Sequence, residues 1–186
     1  SNARIMVKAA DHIFFDINAQ SFSIGDEFSP AYCEAVATDL GFSNIDRVVL
    51  NSIDHTSPTD NTGYADFTNI YTPLSRGEMY SLLVREKENT VFDGDQVIVW
   101  IDFNKNGVFT DSGEKVIETA TFSGDFSIYP FGGNINIPNN AALGETTMRI
   151  RMNNADFGAS NTTPCGDNTF GEVEDYSIVI YDDYVH

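Results

Sequence analysis

Apolar residues along the chain recur with a period of two or in short β-branched runs, and clusters of Gly, Pro, Asn and Asp separate them. Because strand side chains alternate between faces, this spacing predicts strands and very little helix. Strands are expected at Ile45 to Ile53, Met79 to Arg85, Gln96 to Phe103 and Lys115 to Ala120. Further strands are expected at Phe126 to Ile137 with a break at Pro130 to Gly133, at Thr146 to Asn153, and at Asp175 to Tyr181. About eight strands with long loops predict an all-β fold, a jelly-roll-like β-sandwich.

Between Gln96 and Phe103, Val97, Val99, Ile101 and Phe103 face one way, and Ile98, Trp100 and Asp102 the other. Both faces are apolar until Asp102, which predicts a central strand. One short helix is expected at Glu34 to Leu40, where Ala35, Val36, Ala37 and Leu40 run into the stop residue Gly41. Residues 4–30 alternate only weakly and are expected to form an edge strand or a linker ahead of a domain spanning 31–183. Ser1, Asn2 and Ala3 read as the remnant of a cleaved expression tag.

The 186 residues carry 28 acids against 10 bases, a formal charge of -18. That charge repels phosphate backbones and anionic lipid, so nucleic acid is excluded as a partner. Membrane insertion is excluded as well, because no apolar run approaches the ~20 residues of a span. Cys33 and Cys165 are the only cysteines. An even pair admits one disulfide or two buried thiols, and the disulfide is favoured; it would imply an oxidising compartment.

The segment Asp102-Phe-Asn104-Lys-Asn106-Gly107-Val108-Phe-Thr110-Asp111-Ser-Gly-Glu114 places oxygen-bearing side chains at its first, third, fifth and ninth positions and glycine at the sixth. Calcium takes about six to eight oxygen ligands, and this spacing lets alternate side chains converge while Gly107 permits the sharp turn. Val108 would contribute its carbonyl, and Asp111 and Glu114 are further candidate ligands. The loop departs from the EF-hand pattern, since its last acid comes one residue late and it follows a strand. An all-oxygen set also argues against zinc, which would want His or Cys. The alternative is a hairpin rich in Asn, Asp and Gly for backbone reasons alone.

Near the C-terminus runs Gly171-Glu172-Val173-Glu174-Asp175-Tyr176, preceded by Tyr32-Cys33, Tyr64-Ala-Asp66-Phe67-Thr68, Val99-Trp100-Ile101-Asp102-Phe103-Asn104, Gly144, Thr147-Met148-Arg149-Ile150-Arg151 and Cys165. In these pieces, taken in order, the chain resembles the GEVED domain of secreted bacterial proteins. The resemblance implies a β-sandwich-like accessory domain, secreted or at the bacterial cell surface, beside other domains of a larger exported protein. It also strengthens the pairing of Cys33 with Cys165, and it implies no defined activity.

Physically, Glu172 and Glu174 share one face of a strand, and Arg149 and Arg151 are likewise two apart. A ladder of two arginines against two glutamates would account for the motif. The alternative is that Glu172, Glu174 or Asp175 binds metal with Asp66 or the Asp102 loop. No His-Glu-x-x-His, no Gly-x-Ser-x-Gly and no histidine cluster is present, which argues against an enzyme. The leading expectation is a calcium-stabilised accessory or adhesion module contacting extracellular protein or glycan. Its rival is a carbohydrate-binding module, with Tyr64, Phe67, Tyr71, Phe157 and Phe170 as candidate ligand contacts; a hydrolase is the remote third.

Overall fold

The computed structural model describes residues 31–58, 62–87, 91–123 and 130–183 in full, and residues 1–30 only through the backbone of four short strands. These are β1 (Asn2–Ala3), β2 (Met6–Lys8), β3 (Phe15–Ile17) and β4 (Phe22–Ser23). They pair antiparallel, β1 with β4 and β2 with β3, in a unit of their own that ends at Pro30.

From Ala31 onward the described residues hold ten strands and no helix. They are β5 (Ala35–Asp39), β6 (Ile45–Leu50), β7 (Ile53–Thr56), β8 (Tyr64–Ser75), β9 (Met79–Glu86), β10 (Asp95–Ile101), β11 (Lys115–Glu118), β12 (Pro130–Asn136), β13 (Gly144–Asn154) and β14 (Gly166–Tyr181). One sheet runs β12-β9-β6-β7, and the other runs β11-β10-β13-β14-β5, with β8 also paired to β14. The two pack face to face as a β-sandwich. Val48, Leu50, Leu82, Val84 and Ile135 of the smaller sheet meet Val97, Val99, Ile101, Met148, Ile150, Tyr176 and Ile178 of the larger in one core.

The large sheet is organised on β14. Along most of its length β14 is antiparallel to β13, from Asn153 opposite Gly171 to Gly144 opposite Ile180. Its other edge is shared. The beginning pairs in parallel with β5 and the remainder in parallel with β8, where the register shifts between Tyr176 and Ser177. Gly171, at φ 138°, lies at the handover, and a Cβ there would stand 2.0 Å from the carbonyl oxygen of Met152. Only glycine permits that approach.

Three expectations are corrected. The segment expected as a helix, Glu34 to Leu40, forms β5, because Cys33 is bonded to Cys165 and the next residues are drawn into register with β14. A pairing of that kind outweighs the helix propensity of so short a segment. The run from Ile45 to Ile53 is two strands, folded back at Asn51 and Ser52, with Asn51 at φ 48° where asparagine is tolerated. The expected break at Pro130 to Gly133 is instead the start of β12, an edge strand whose first residue is proline, a position that costs no ladder hydrogen bond. Phe126, where that element was expected to begin, lies outside the described residues.

β10 is central and fully buried, as its two apolar faces predict. Val97, Val99 and Ile101 enter the main core, whereas Ile98 and Trp100 pack on the opposite face with Phe109 and Tyr32.

Candidate metal centre

The Asp102 loop leaves the end of β10 and is folded by its own acidic and amide side chains. Asp102, wholly buried, accepts at Oδ1 from the backbone N–H groups of Lys105 (2.7 Å) and Asn106 (3.2 Å). At Oδ2 it accepts from Gly107 N–H and from the Tyr32 hydroxyl, both at 2.9 Å. A carboxylate offers about four lone-pair sites, so these four bonds fill it. Two further turns follow at intervals of two residues. Asn104 Oδ1 accepts from Asn106 N–H, and Asn106 Oδ1 from Val108 N–H, each at 3.0 Å. Gly107 and Lys105, at φ 88° and 62°, supply the left-handed backbone that this winding requires.

This winding turns alternate side chains to one side. The amide nitrogens of Asn104 and Asn106 both reach Asp111 Oδ2 at 2.7 Å. All three residues are exposed, and the two amides hold the Asp111 carboxyl below its usual range. Asn104, Asn106 and Asp111 thus meet at one point. Thr110 and Val108 are exposed beside them. Glu114 is buried beneath the loop, with Oε1 accepting from Phe103 N–H and Oε2 from Asp111 N–H. Burial, and then the charge of Asp102, raise the Glu114 carboxyl.

Among the described residues no three His, Cys, Asp or Glu side chains gather as a metal cage. The groups that do converge are one exposed carboxylate and two amides. Such a set fits a large hard cation weakly held, and it lacks the nitrogen or sulfur that zinc prefers. Rotating the two amides to turn their oxygens outward would give up the bonds that Asn104 Oδ1 and Asn106 Oδ1 accept from the backbone, so an ion would have to share those oxygens with the turns. Asp102 is committed to holding the loop's shape, which leaves Asp111 as the charged group facing outward.

The loop is anchored to the rest of the outer face. Phe109 stacks on Tyr32, ring centroids 4.5 Å apart, and lies 5.1 Å from the Arg149 guanidinium carbon. Burial pushes the Tyr32 hydroxyl up to about 12, so it remains a donor to Asp102. Cys33, next in the chain, is bonded to Cys165, and the carbonyl oxygens of Cys33 and Pro164 both accept from Arg149 Nη1 at 2.7 and 2.8 Å.

The expected ladder of Arg149 and Arg151 against Glu172 and Glu174 does not form. In the register of β13 with β14, Arg149 stands opposite Asp175 and Arg151 opposite Val173, while Glu172 and Glu174 stand opposite Met152 and Ile150. Strand parity therefore places the glutamates on the core side and the arginines on the outer side. Arg149 makes a bidentate pair with Asp175, Nε to Oδ1 at 2.8 Å and Nη2 to Oδ2 at 2.7 Å, and Tyr64 donates to Asp175 Oδ2 at 3.0 Å. Arg151, also buried, donates to Asn168 Oδ1 and to the Gly166 carbonyl; burial and then Arg149 lower its guanidinium to about 10. Glu172 accepts from Ile45 N–H across the sandwich, and Glu174 from the Tyr176 hydroxyl, which also meets His55 Nδ1 at 2.9 Å.

The structure consequently does not bring Glu172, Glu174 or Asp66 to the Asp102 loop. Asp66 is exposed and accepts from the backbone and hydroxyl of Thr68. The candidate sugar-stacking aromatics are dispersed too. Tyr64 serves Asp175, Phe67 packs against His55 and Tyr176, and Tyr71 is 64% exposed on β8. Only Phe157 and Phe170 share a cleft, together with Phe42 and Phe92. Tyr32, Phe109 and these last two phenylalanines carry roles not assigned from the sequence. The neighbourhood of Tyr32 and Cys33 was the available signal for the first.

Fold and site together define a disulfide-bonded β-sandwich with a polar Asx-turn loop at one strand end and a buried arginine–aspartate pair behind it. Residues 96–179, which run from β10 into β14, match the family model of the GEVED domain. A comparison with curated proteins finds no match for the chain.

Proposed function

We propose that this chain is a calcium-stabilised, non-catalytic accessory or adhesion module of a secreted or cell-surface protein, which positions neighbouring domains and contacts extracellular protein or glycan. The observation that supports it is the convergence of Asn104, Asn106 and Asp111 at the mouth of a loop whose shape Asp102 maintains from below. The Cys33–Cys165 bond is in keeping with an oxidising compartment. A single outward carboxylate suits an affinity of about 10⁻⁴ to 10⁻³ M, the range of extracellular modules.

Thermal unfolding with and without calcium tests the proposal. At a calcium concentration ~100 times Kd, stability should rise by about 2.7 kcal/mol over the chelated protein. Asp111→Ala should abolish that rise and leave the chelated protein's unfolding unchanged, because Asp111 is exposed. Equal melting with chelator and with calcium at ~100 times that Kd, about 10 to 100 mM, together with no calcium heat in calorimetry over the same range, would sink it.

A further inference from the structure

At the end of the sandwich where β10, β13 and β14 exchange their loops, Phe42, Phe92, Phe157 and Phe170 line an open cleft of ≈ 200 Å³ with Ser43 and Asn154. Phe42 meets Phe92 edge-on (centroids 4.5 Å, 88°) and Phe170 in a similar way (5.4 Å, 73°). Phe42 and Phe157 are nevertheless 42% and 55% exposed. Behind the rings lies a polar bracket. Asp95, wholly buried, accepts from Ser43 Oγ at 2.5 Å, Asn154 Nδ2 at 2.8 Å and Phe92 N–H at 2.6 Å. Asn154 Oδ1 in turn accepts from Asp156 N–H and Phe157 N–H. The bracket holds the loops that carry Phe42, Phe92 and Phe157.

Two consequences decide what could enter. Ser43 and Asn154 are committed to Asp95 and to the backbone, so the cleft offers ring faces and edges but few hydrogen-bond partners. That is a poor match for a sugar, whose hydroxyl groups would be stripped of water without replacement. The cleft is also smaller than the ~300–1,000 Å³ of pockets that enclose a drug-sized ligand, and it suits a single large side chain. Around it stand the exposed carboxylates of Asp39, Asp93 and Asp156, with Lys87 the nearby base. Asp39 accepts from Gly41 N–H beside Phe42, and Asp156 lies against Gly94. A second copy of this chain, at a formal charge of -18, would be repelled from such a rim, as would an anionic membrane.

We propose that this cleft is a docking site for a basic protein segment, which inserts one aromatic or branched aliphatic side chain between the phenylalanines while its flanking Lys or Arg residues face the rim. It specifies the protein-contacting part of the proposed function and does not depend on calcium. The probes are acetyl-Lys-Phe-Lys-amide, acetyl-Lys-Ala-Lys-amide and acetyl-Glu-Phe-Glu-amide, titrated into the full chain and followed by amide NMR shifts. The first should move signals of residues 42–44, 92–95 and 154–157 and bind about tenfold or more tightly than the alanine peptide. It should also outbind the glutamate peptide, by a margin that shrinks at high salt.

Phe157→Ala, at an exposed position, should abolish the shifts while leaving the spectrum elsewhere and the calcium response intact. The proposal is overturned by equal binding of the phenylalanine and alanine peptides, or by binding that survives Phe157→Ala. Equal binding of both charge types, self-association at the cleft in sedimentation, or the same shifts with neutral oligosaccharides and none with the basic peptide would overturn it too. Loss of the calcium response without loss of peptide binding would dispose of the metal proposal alone.

Discussion

Asp175→Asn isolates what the buried pair contributes, because it keeps the shape of the side chain and removes the charge. In the folded protein the Arg149 and Asp175 side chains are 2% and 4% exposed. Asp175 receives two guanidinium hydrogen bonds and one from Tyr64, while Arg149 also serves the carbonyls of Cys33 and Pro164. With asparagine at position 175, one of the two guanidinium contacts becomes donor against donor, and a cation is left in the interior with carbonyl dipoles as its remaining partners. Breaking a buried pair from one side costs about 3–5 kcal/mol, a large share of the ~5–15 kcal/mol that holds a domain folded. Urea unfolding followed by fluorescence is a direct assay, since Trp100 is the only tryptophan, is buried, and stands opposite Arg149 in the sheet. The midpoint should fall with the slope unchanged. A loss below about 1 kcal/mol, the worth of an exposed pair, would refute the reasoning. Replacing both partners, Arg149→Met with Asp175→Leu, should recover much of the loss.

Other outcomes follow from the same structure. Removing the Cys33–Cys165 bond by paired serine substitution should lower stability by up to about 5 kcal/mol, because it releases a constraint between residues 132 apart; an unchanged urea midpoint would contradict this. Gly171→Ala should cost at least about 2 kcal/mol or prevent folding, and a midpoint equal to that of the unsubstituted protein would show that β13 can yield to a Cβ. His55 is held below its ordinary 6.5 by burial, so the unfolded chain takes up its proton more readily. Its share of stability is therefore complete above about pH 6.5 and is lost as pH falls through that value towards the folded one. His55→Gln should flatten the decline of the urea midpoint between about pH 7.5 and 5.5, and identical declines would count against that role.

The strands that were legible in the sequence are those whose pattern is set by burial on a face. β9, β10 and β13 each read clearly, and β10 kept both its faces as predicted. β8 was missed because it contains Pro73, and because its pairing with β14 slips where Phe67 is followed in register by Tyr71. β5 reads as helical in the sequence because Ala35, Val36, Ala37 and Leu40 run into the stop residue Gly41, but the preference of so short a segment is small and pairing with the distant β14 decides its conformation. The acidic motif shows another limit. That Glu172 and Glu174 share a face follows from strand periodicity, but which face meets the arginines depends on cross-strand register, and a shift of one residue would reverse it. The Asx-turn winding of the Asp102 loop was legible as spacing. The commitment of Asp102 to backbone and Tyr32 was not, since Tyr32 approaches from 70 residues away.

The position of β14 in the chain has a consequence for how the molecule is made. Both β5 and β8 are edge strands whose sheet partner is β14, the last strand to be synthesised among those described. During synthesis, neither the first nor the fourth strand of the sandwich can join the large sheet until the whole domain has emerged, and Cys33 has no partner until Cys165 appears. Long-range pairing of this kind makes folding slow and late. The C-terminal strand thus completes the large sheet and is also where the Arg149–Asp175 pair and the Cys33–Cys165 bond tie the two ends of the domain together.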